Sequence, residues 1–280
     1  MYSVIPNILY GVRIYKEGMC EMAPEYSGGG DPRRTIALLW GIEKKSTRGP
    51  KPAFSVGRIA MAAIEVADAE GMGALSMRRV AERLGISTMS LYTYVPGKAE
   101  LVDVMLDTAL GELAGSEYAD RGWRAGLERI AHENWSLYHR HPWMLQVAAT
   151  SRPPLGPNVI AKYDRELRAV DGIGLTEVEM DSVLALVLEH AQGAARRSVE
   201  MAEAEKHTGK SDHEWWRASE PLLEEVFDPD RYPTASRVGP AAAEAYGSAY
   251  DPEYSFEFGL QRLLDGIETL VRSRSELPDR

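Results

Sequence analysis

Between Leu75 and Leu101 the chain reads LSMRRVAERLGISTMSLYTYVPGKAEL, and few folds accommodate that string. Ser76 is placed to cap a helix whose apolar side is Met77, Val80, Ala81 and Leu84 at helical spacing. Gly85 ends it, because glycine takes the left-handed conformation of a helix stop at little cost, and Ile86 plugs the corner after it. Ser87 caps a second, shorter helix anchored by Leu91 and Val95. Its other side carries Thr88, Met89, Tyr92 and Thr93, a mixture of hydroxyls, a thioether and an aromatic ring that suits base edges, thymine methyls and phosphates. Pro96-Gly97 breaks the helix, and Lys98 opens the next one, where a cation works against the helix dipole unless an anion relieves it.

Charge sharpens this reading. The 280 residues carry a formal net charge of -10, which argues against a general nucleic-acid binder. Basic residues nevertheless gather around the helix pair: Arg58, Arg78, Arg79, Arg83 and Lys98, preceded by Lys44, Lys45, Arg48 and Lys51. An acidic body with one basic end limits non-specific binding and orients that end toward DNA.

The residues Leu75-Ser76-Met77-Arg78-Arg79-Val80-Ala81, Leu84-Gly85 and Ser90-Leu91-Tyr92-Thr93-Tyr94-Val95 with Gly97-Lys98 resemble the TetR family of transcriptional regulators. The resemblance implies a three-helix domain over residues 53–100 whose third helix enters the major groove of double-stranded operator DNA. Carried over position by position, Arg78, Thr88, Met89, Ser90, Tyr92, Thr93, Tyr94 and Lys98 stand at DNA-contacting places, and Arg58, in the first turn of the helix that opens at Val56, is a candidate phosphate contact. Taken singly, Tyr92 and Tyr94 fit core or boundary aromatics better than DNA contacts. The competing class is an enzyme or ligand carrier with a helical hairpin that never meets DNA.

An all-α chain is expected throughout. Residues 1–52 read as a flexible extension ending in a basic, Pro/Gly-broken arm, with one short helix from Asp31-Pro32 to Trp40. The arm's functional alternative is minor-groove contact beside the main site. A helix from Val56 to Glu70, capped by Ser55 and closed by Gly71, precedes the motif. After it, Leu101 to Leu113 forms a connecting helix with Asp103 and Asp107 expected at the surface. Further helices are predicted from Trp123 to Arg140, Trp143 to Ala149, Pro157 to Val170, Thr176 to Lys206 and Glu253 to Arg272, with a break from Asp228 to Asp251.

Residues 101–280 then make a second domain. Its His139-Arg140-His141-Pro142-Trp143 corner and its Phe256-Glu257-Phe258-Gly259-Leu260 helix start resemble the effector domain of the tetracycline-repressor class. That resemblance implies a homodimer built on the long and last helices, and a pocket for a small-molecule inducer. The last helix supports the first expectation, since Phe256, Leu260, Leu263, Leu264, Ile267 and Leu270 make a bundle seam. For the pocket, apolar bodies with a few polar tips nominate His132, Trp135, Trp143, Met144, Val187 and His190.

Other chemistry finds little footing. His132-Glu133 starts like a zinc-protease motif, but Ser136 stands where the second histidine belongs. His139 and His141 would need outside help to hold a metal, so satisfied helix-end histidines are the default. No catalytic, metal or cofactor site is expected. A single cysteine, Cys20, precludes an intrachain disulfide, and no run of 18 apolar residues offers a membrane span, so the expected setting is cytoplasmic.

Overall fold

A computed structural model of the chain describes residues 28–42, 54–115, 118, 122–147 and 153–275. The expectations for residues 1–27 and for the basic arm at 43–53 lie outside those residues.

All regular structure among the described residues is helical. The α-helices are α1 (Pro32–Leu39), α2 (Val56–Glu70), α3 (Met77–Leu84), α4 (Thr88–Tyr92), α5 (Lys98–Leu110), α6 (Trp123–Arg140), α7 (Pro157–Leu167), α8 (Glu177–Thr208), α9 (Asp212–Val226), α10 (Pro233–Tyr246) and α11 (Pro252–Ser275). Short 3-10 turns cover Gly111–Leu113 and Pro142–Leu145. Local chemistry sets the early boundaries. The hydroxyls of Ser55, Ser76 and Ser87 accept from the amides of Arg58, Arg79 and Ser90, three residues on in each case. Gly85 ends α3 in the left-handed conformation at φ 68°.

One compact unit comprises Ala23–Gly193 with Leu260–Arg280. Its core is continuous, running from Ile59 and Ala63 of α2 through Val80, Leu91 and Val95 to Leu101, Met105 and Leu106 of α5, and on to Leu137 and Trp143. α5 lies in the middle, packed by α1, α2 and α7. This central place overturns one expectation: Asp103 and Asp107 are buried, at 0% and 5% exposure. Asp103 is covered because Gly28 N donates to its Oδ1 at 3.0 Å. Asp107 caps α7 from across the fold, accepting from the amides of Asn158 and Val159 at 3.1 and 3.0 Å and from Asn158 Nδ2 at 3.0 Å. Burial still raises the Asp107 carboxyl above its ordinary range, since those hydrogen bonds offset only part of the desolvation.

The same unit holds the amino-terminal part of α8 and the carboxy-terminal part of α11. Arg124 of α6 reaches α11, donating to Asp265 Oδ1 at 2.7 Å and Gln261 Oε1 at 3.0 Å. Arg274 Nε donates to Glu179 Oε1 at 3.0 Å, and Glu179 Oε2 accepts from the Thr176 amide at 3.0 Å. The Arg274 hydrogen bond, with those from Thr176, holds the Glu179 carboxyl down to about 2. Its folded-state value is therefore below that of the unfolded chain, so this contact contributes above the ordinary glutamate range and is lost as pH falls toward 2. Arg274→Ala should move the Glu179 midpoint back toward the ordinary range, with the Thr176 hydrogen bonds still holding it below, read by carboxyl ¹³C NMR titration. A midpoint that stays where it was would show that Arg274 is not what holds it.

The second unit is described over Ala194–Gly259. Ser211 and Glu214 form a reciprocal capping box at the start of α9, which buries Trp216. α10 lies where the sequence predicts a break. Pro233 at its first turn is its one boundary signal; Pro240 lies in its interior and only Gly239 and Ala243 are buried, so no apolar stripe marks it in sequence. Gly247 ends it at φ 65°. The segment after His141 also departs from expectation, with a 3-10 turn over Pro142–Leu145 in place of an α-helix.

Candidate nucleic-acid interface

α4 has two unlike sides. Leu91 within it and Val95 just beyond it are fully buried and lock it to the core. Opposite them Met89 is 76% and Tyr92 44% exposed, large apolar surface with no internal reason to face water. Ser90 and Thr93 are exposed beside them and Thr88 is half-buried. Two hydroxyls are partly engaged, with Ser90 Oγ 2.8 Å from Ser87 Oγ and Thr93 Oγ1 donating to Ser90 O at 2.6 Å. Tyr94 packs half-buried against the core, so of the two tyrosines Tyr92 presents the more open ring. Lys98 is half-buried in the first turn of α5.

The cations around α4 are less available than their number in the sequence suggests. Arg78 pairs with Glu82 at 2.9 Å, Arg79 with Glu70 at 2.5 Å, and Arg83 with Glu65 at 2.7 Å. The Arg79 hydrogen bond holds the Glu70 carboxyl below its ordinary range, and Glu70 raises Arg79 in return. These pairs are solvent-exposed and contribute little, so a phosphate can replace the carboxylate. Arg58 lies over the Phe54 ring at 4.7 Å. The acidic partners Glu70 and Glu65 stand nine and eighteen residues from their arginines, beyond the reach of any pattern local to α3.

Three polar contacts tie α2 and α5 to the rest of the unit. His141, 7% exposed, sits between two carboxylates, with Nδ1 2.9 Å from Asp68 Oδ2 on α2 and Nε2 2.9 Å from Glu112 Oε1 after α5. Burial raises the Glu112 carboxyl, but hydrogen bonds from His141 and Arg140 outweigh it and leave the group below its ordinary range. His139, by contrast, meets local groups, its Nδ1 lying 2.8 Å from Trp135 O and its ring 4.7 Å from the Trp135 ring. The third contact is that of Asp107 with the amides that open α7.

The nominated pocket residues divide between core and boundary. Trp143 and Met144 are buried in the core shared with α2 and α5. Val187 is buried on α8, while His132 and Trp135 on α6 and His190 on α8 are half-buried. The Trp143 indole N–H is buried and has no hydrogen-bond partner among the described residues, an arrangement that costs free energy until an acceptor reaches it. Farther along, α8 and α11 line a largely apolar groove of about 330 Å³ with Ser182, Leu186, Leu263, Gly266 and Leu270 on its walls. Among the described residues no group of three or more His, Cys, Asp or Glu is set to hold a metal ion. No described helix is long and apolar enough to cross a membrane.

Comparison with known proteins places this geometry. Residues 59–105 match the domain described as bacterial regulatory proteins, tetR family, and residues 117–271 match the tetracyclin repressor-like C-terminal domain. The HTH-type transcriptional repressor DrrR1 of Streptomyces coeruleorubidus is 45% identical, over 89% of this chain and 90% of its own length. Apo ActR from Streptomyces coelicolor superposes with a TM-score of 0.64 at 23% identity, covering 81% of this chain and 99% of that one. ActR in complex with actinorhodin superposes with a TM-score of 0.61 at 23% identity, covering 76% and 95%.

Proposed function

Since the chain belongs to the TetR family of bacterial regulatory proteins, we propose that it is a repressor released from a palindromic operator when a small, largely apolar inducer binds. The observation that carries this reading is the outer side of α4, where Met89 and Tyr92 stand exposed on a helix pinned by Leu91 and Val95. In it, residues 53–100 are the reading head. Thr88, Met89, Tyr92 and Thr93 face base edges, and Arg58, Arg78, Ser90, Tyr94 and Lys98 hold phosphates.

Residues 101–280 serve ligand binding and dimerisation. The apolar groove between α8 and α11 is closed by the same groove of a second copy, which gives the two-fold pair of heads that a palindrome requires. The inducer lies near His132, Trp135, Trp143, Met144, Val187 and His190. The buried Trp143 N–H supplies a hydrogen-bond donor for it, and the shared fold with an actinorhodin-bound protein supports an aromatic ligand. The chain performs no catalysis and works in the cytoplasm, where its operator is.

Coupling runs through α5. A ligand that favours another tilt of this helix changes the separation of the heads, and the contacts of His141 with Asp68 and Glu112 carry the shift into α2. By linkage, operator then weakens inducer binding by the same factor, typically about 5- to 150-fold. The test is retardation of duplex DNA from the region upstream of the coding sequence, with salt and then aromatic compounds titrated in. Specific retardation that weakens steeply with salt is expected. If no duplex is enriched from random-sequence DNA by the ligand-free protein, the hairpin is not a reading head.

A further inference from the structure

The segment matched to the family's DNA-binding domain begins at residue 59, yet a helix precedes it and is firmly attached. α1 buries Thr35 and Leu38, packing against α5. Just before it, Gly28 N donates to Asp103 Oδ1 at 3.0 Å. The Glu100 carboxylate fills the space a side chain at Gly30 would take, 2.5 Å from its Cβ position, and comes within 2.9 Å of the same position at Gly97. At the other end Trp40 Nε1 donates to Leu155 O at 2.8 Å, next to Gly156, which abuts Asp107. The two helices therefore run side by side in the same direction. The start of α1 lies by Glu100, two residues from Lys98, and its eight residues span about 12 Å toward Asp107.

Arg33 and Arg34 stand in that first turn, both exposed. Neither makes an ion pair among the described residues, whereas Arg78, Arg79 and Arg83 each face a carboxylate. Asp31, beside them in the chain, is occupied as the helix cap, accepting from the amides of Arg33 and Arg34 at 2.9 and 3.4 Å. Helix side chains lean toward the amino terminus, which here means toward the Lys98 end of α5. In a chain of net charge -10, two guanidinium groups beside the reading head with no ion pair among the described residues favour one partner chemistry, the phosphate backbone.

We propose that Arg33 and Arg34 bind phosphates of the operator strand next to the one met by Lys98, making α1 an added part of the DNA-binding surface. This rests on the reading of α3 and α4 as the DNA-reading pair. Because Gly28, Leu38 and Trp40 fasten the helix, the arginines are held in place before DNA arrives, and little ordering is needed on binding. Such contacts add affinity and register, with no preference among sequences.

The experiment measures binding of the full-length protein to a duplex that the parent enriches from random-sequence DNA, at several salt concentrations. Arg33→Ala/Arg34→Ala should weaken binding roughly tenfold, to specific and unrelated duplexes alike, and make the slope of log K against log salt shallower by about 0.9 for each phosphate no longer neutralised. Arg33→Lys/Arg34→Lys should restore most of both. An unchanged slope in the alanine variant overturns the proposal, and so does weaker affinity at an unchanged slope, which would mean the arginines only support α1. Failure of the parent to retain any duplex would instead overturn the DNA-binding reading on which the proposal stands.

Discussion

Glutamate at both Leu186 and Leu263 is expected to turn the protein into a folded monomer whose operator affinity is at least about 100-fold weaker. Both side chains line the groove between α8 and α11, and Leu186 is 43% exposed within one chain, so a carboxylate there costs the isolated subunit little. A two-fold interface repeats each change, placing four carboxylates where apolar surface should meet. At a few kcal/mol for each charge stripped of water, the total rivals the roughly 12 kcal/mol that holds a nanomolar dimer. Each monomer then brings a single head to half an operator. Ile267 is the poorer target even though it belongs to the same seam, because it is 4% exposed inside one subunit and its change would test folding instead. Light scattering at micromolar concentration reads the mass, with circular dichroism to confirm retained helix. A variant that keeps the dimer mass would place the interface elsewhere.

Features decided by neighbouring residues are legible in the sequence. Ser55, Ser76 and Ser87 each cap with an amide three positions away, and Gly85 stops α3 with its own backbone, so the limits of α2 and α3 and the start of α4 emerge from short strings, whereas α4 ends at Tyr92, before the Pro96-Gly97 break the sequence offers. The burial of Leu91 and Val95, with Met89 and Tyr92 left outside, likewise comes from helical spacing. Asp103 and Asp107 mislead for the opposite reason. Their partners, Gly28 and Asn158, are 75 and 51 residues away, and an acid at helical surface spacing gives no hint of a distant amide that will cover it. His141 shows the same limit, since a helix-end histidine is ordinary until Asp68 and Glu112 arrive on its two nitrogens. The arginines of α3 make a basic patch in the sequence, while the structure returns a carboxylate to each. α10 is hidden because its prolines and alanines leave almost no apolar stripe for a periodicity to find.

Replacing Lys162 by Met should cost about 3 kcal/mol or more, although the residue lies on α7, outside every surface assigned a binding role. Lys162 and Glu166 are 7% and 1% exposed, and Lys162 Nζ stands 2.7 Å from both Glu166 oxygens. The far side of the carboxylate is also closed: Asn134 Nδ2 of α6 donates to Glu166 Oε1 at 3.0 Å and to Ile130 O at 2.9 Å. Removing the ammonium leaves a carboxylate buried with one amide donor, and breaking such a pair from one side typically costs about 3 to 5 kcal/mol. For a domain of this size each kcal/mol moves Tm by roughly 2 to 4 °C, so a fall of about 6 °C or more is expected. The pair itself need contribute little net stability, because taking two charges out of water offsets most of their attraction. Lys162→Met/Glu166→Leu should therefore recover most of the loss, with Asn134 still donating to Ile130 O. Thermal unfolding of the two variants separates the possibilities: an unchanged Tm in Lys162→Met would mean water reaches Glu166, and a double variant no better than the single would mean the pair stabilises the junction of α6 and α7 directly.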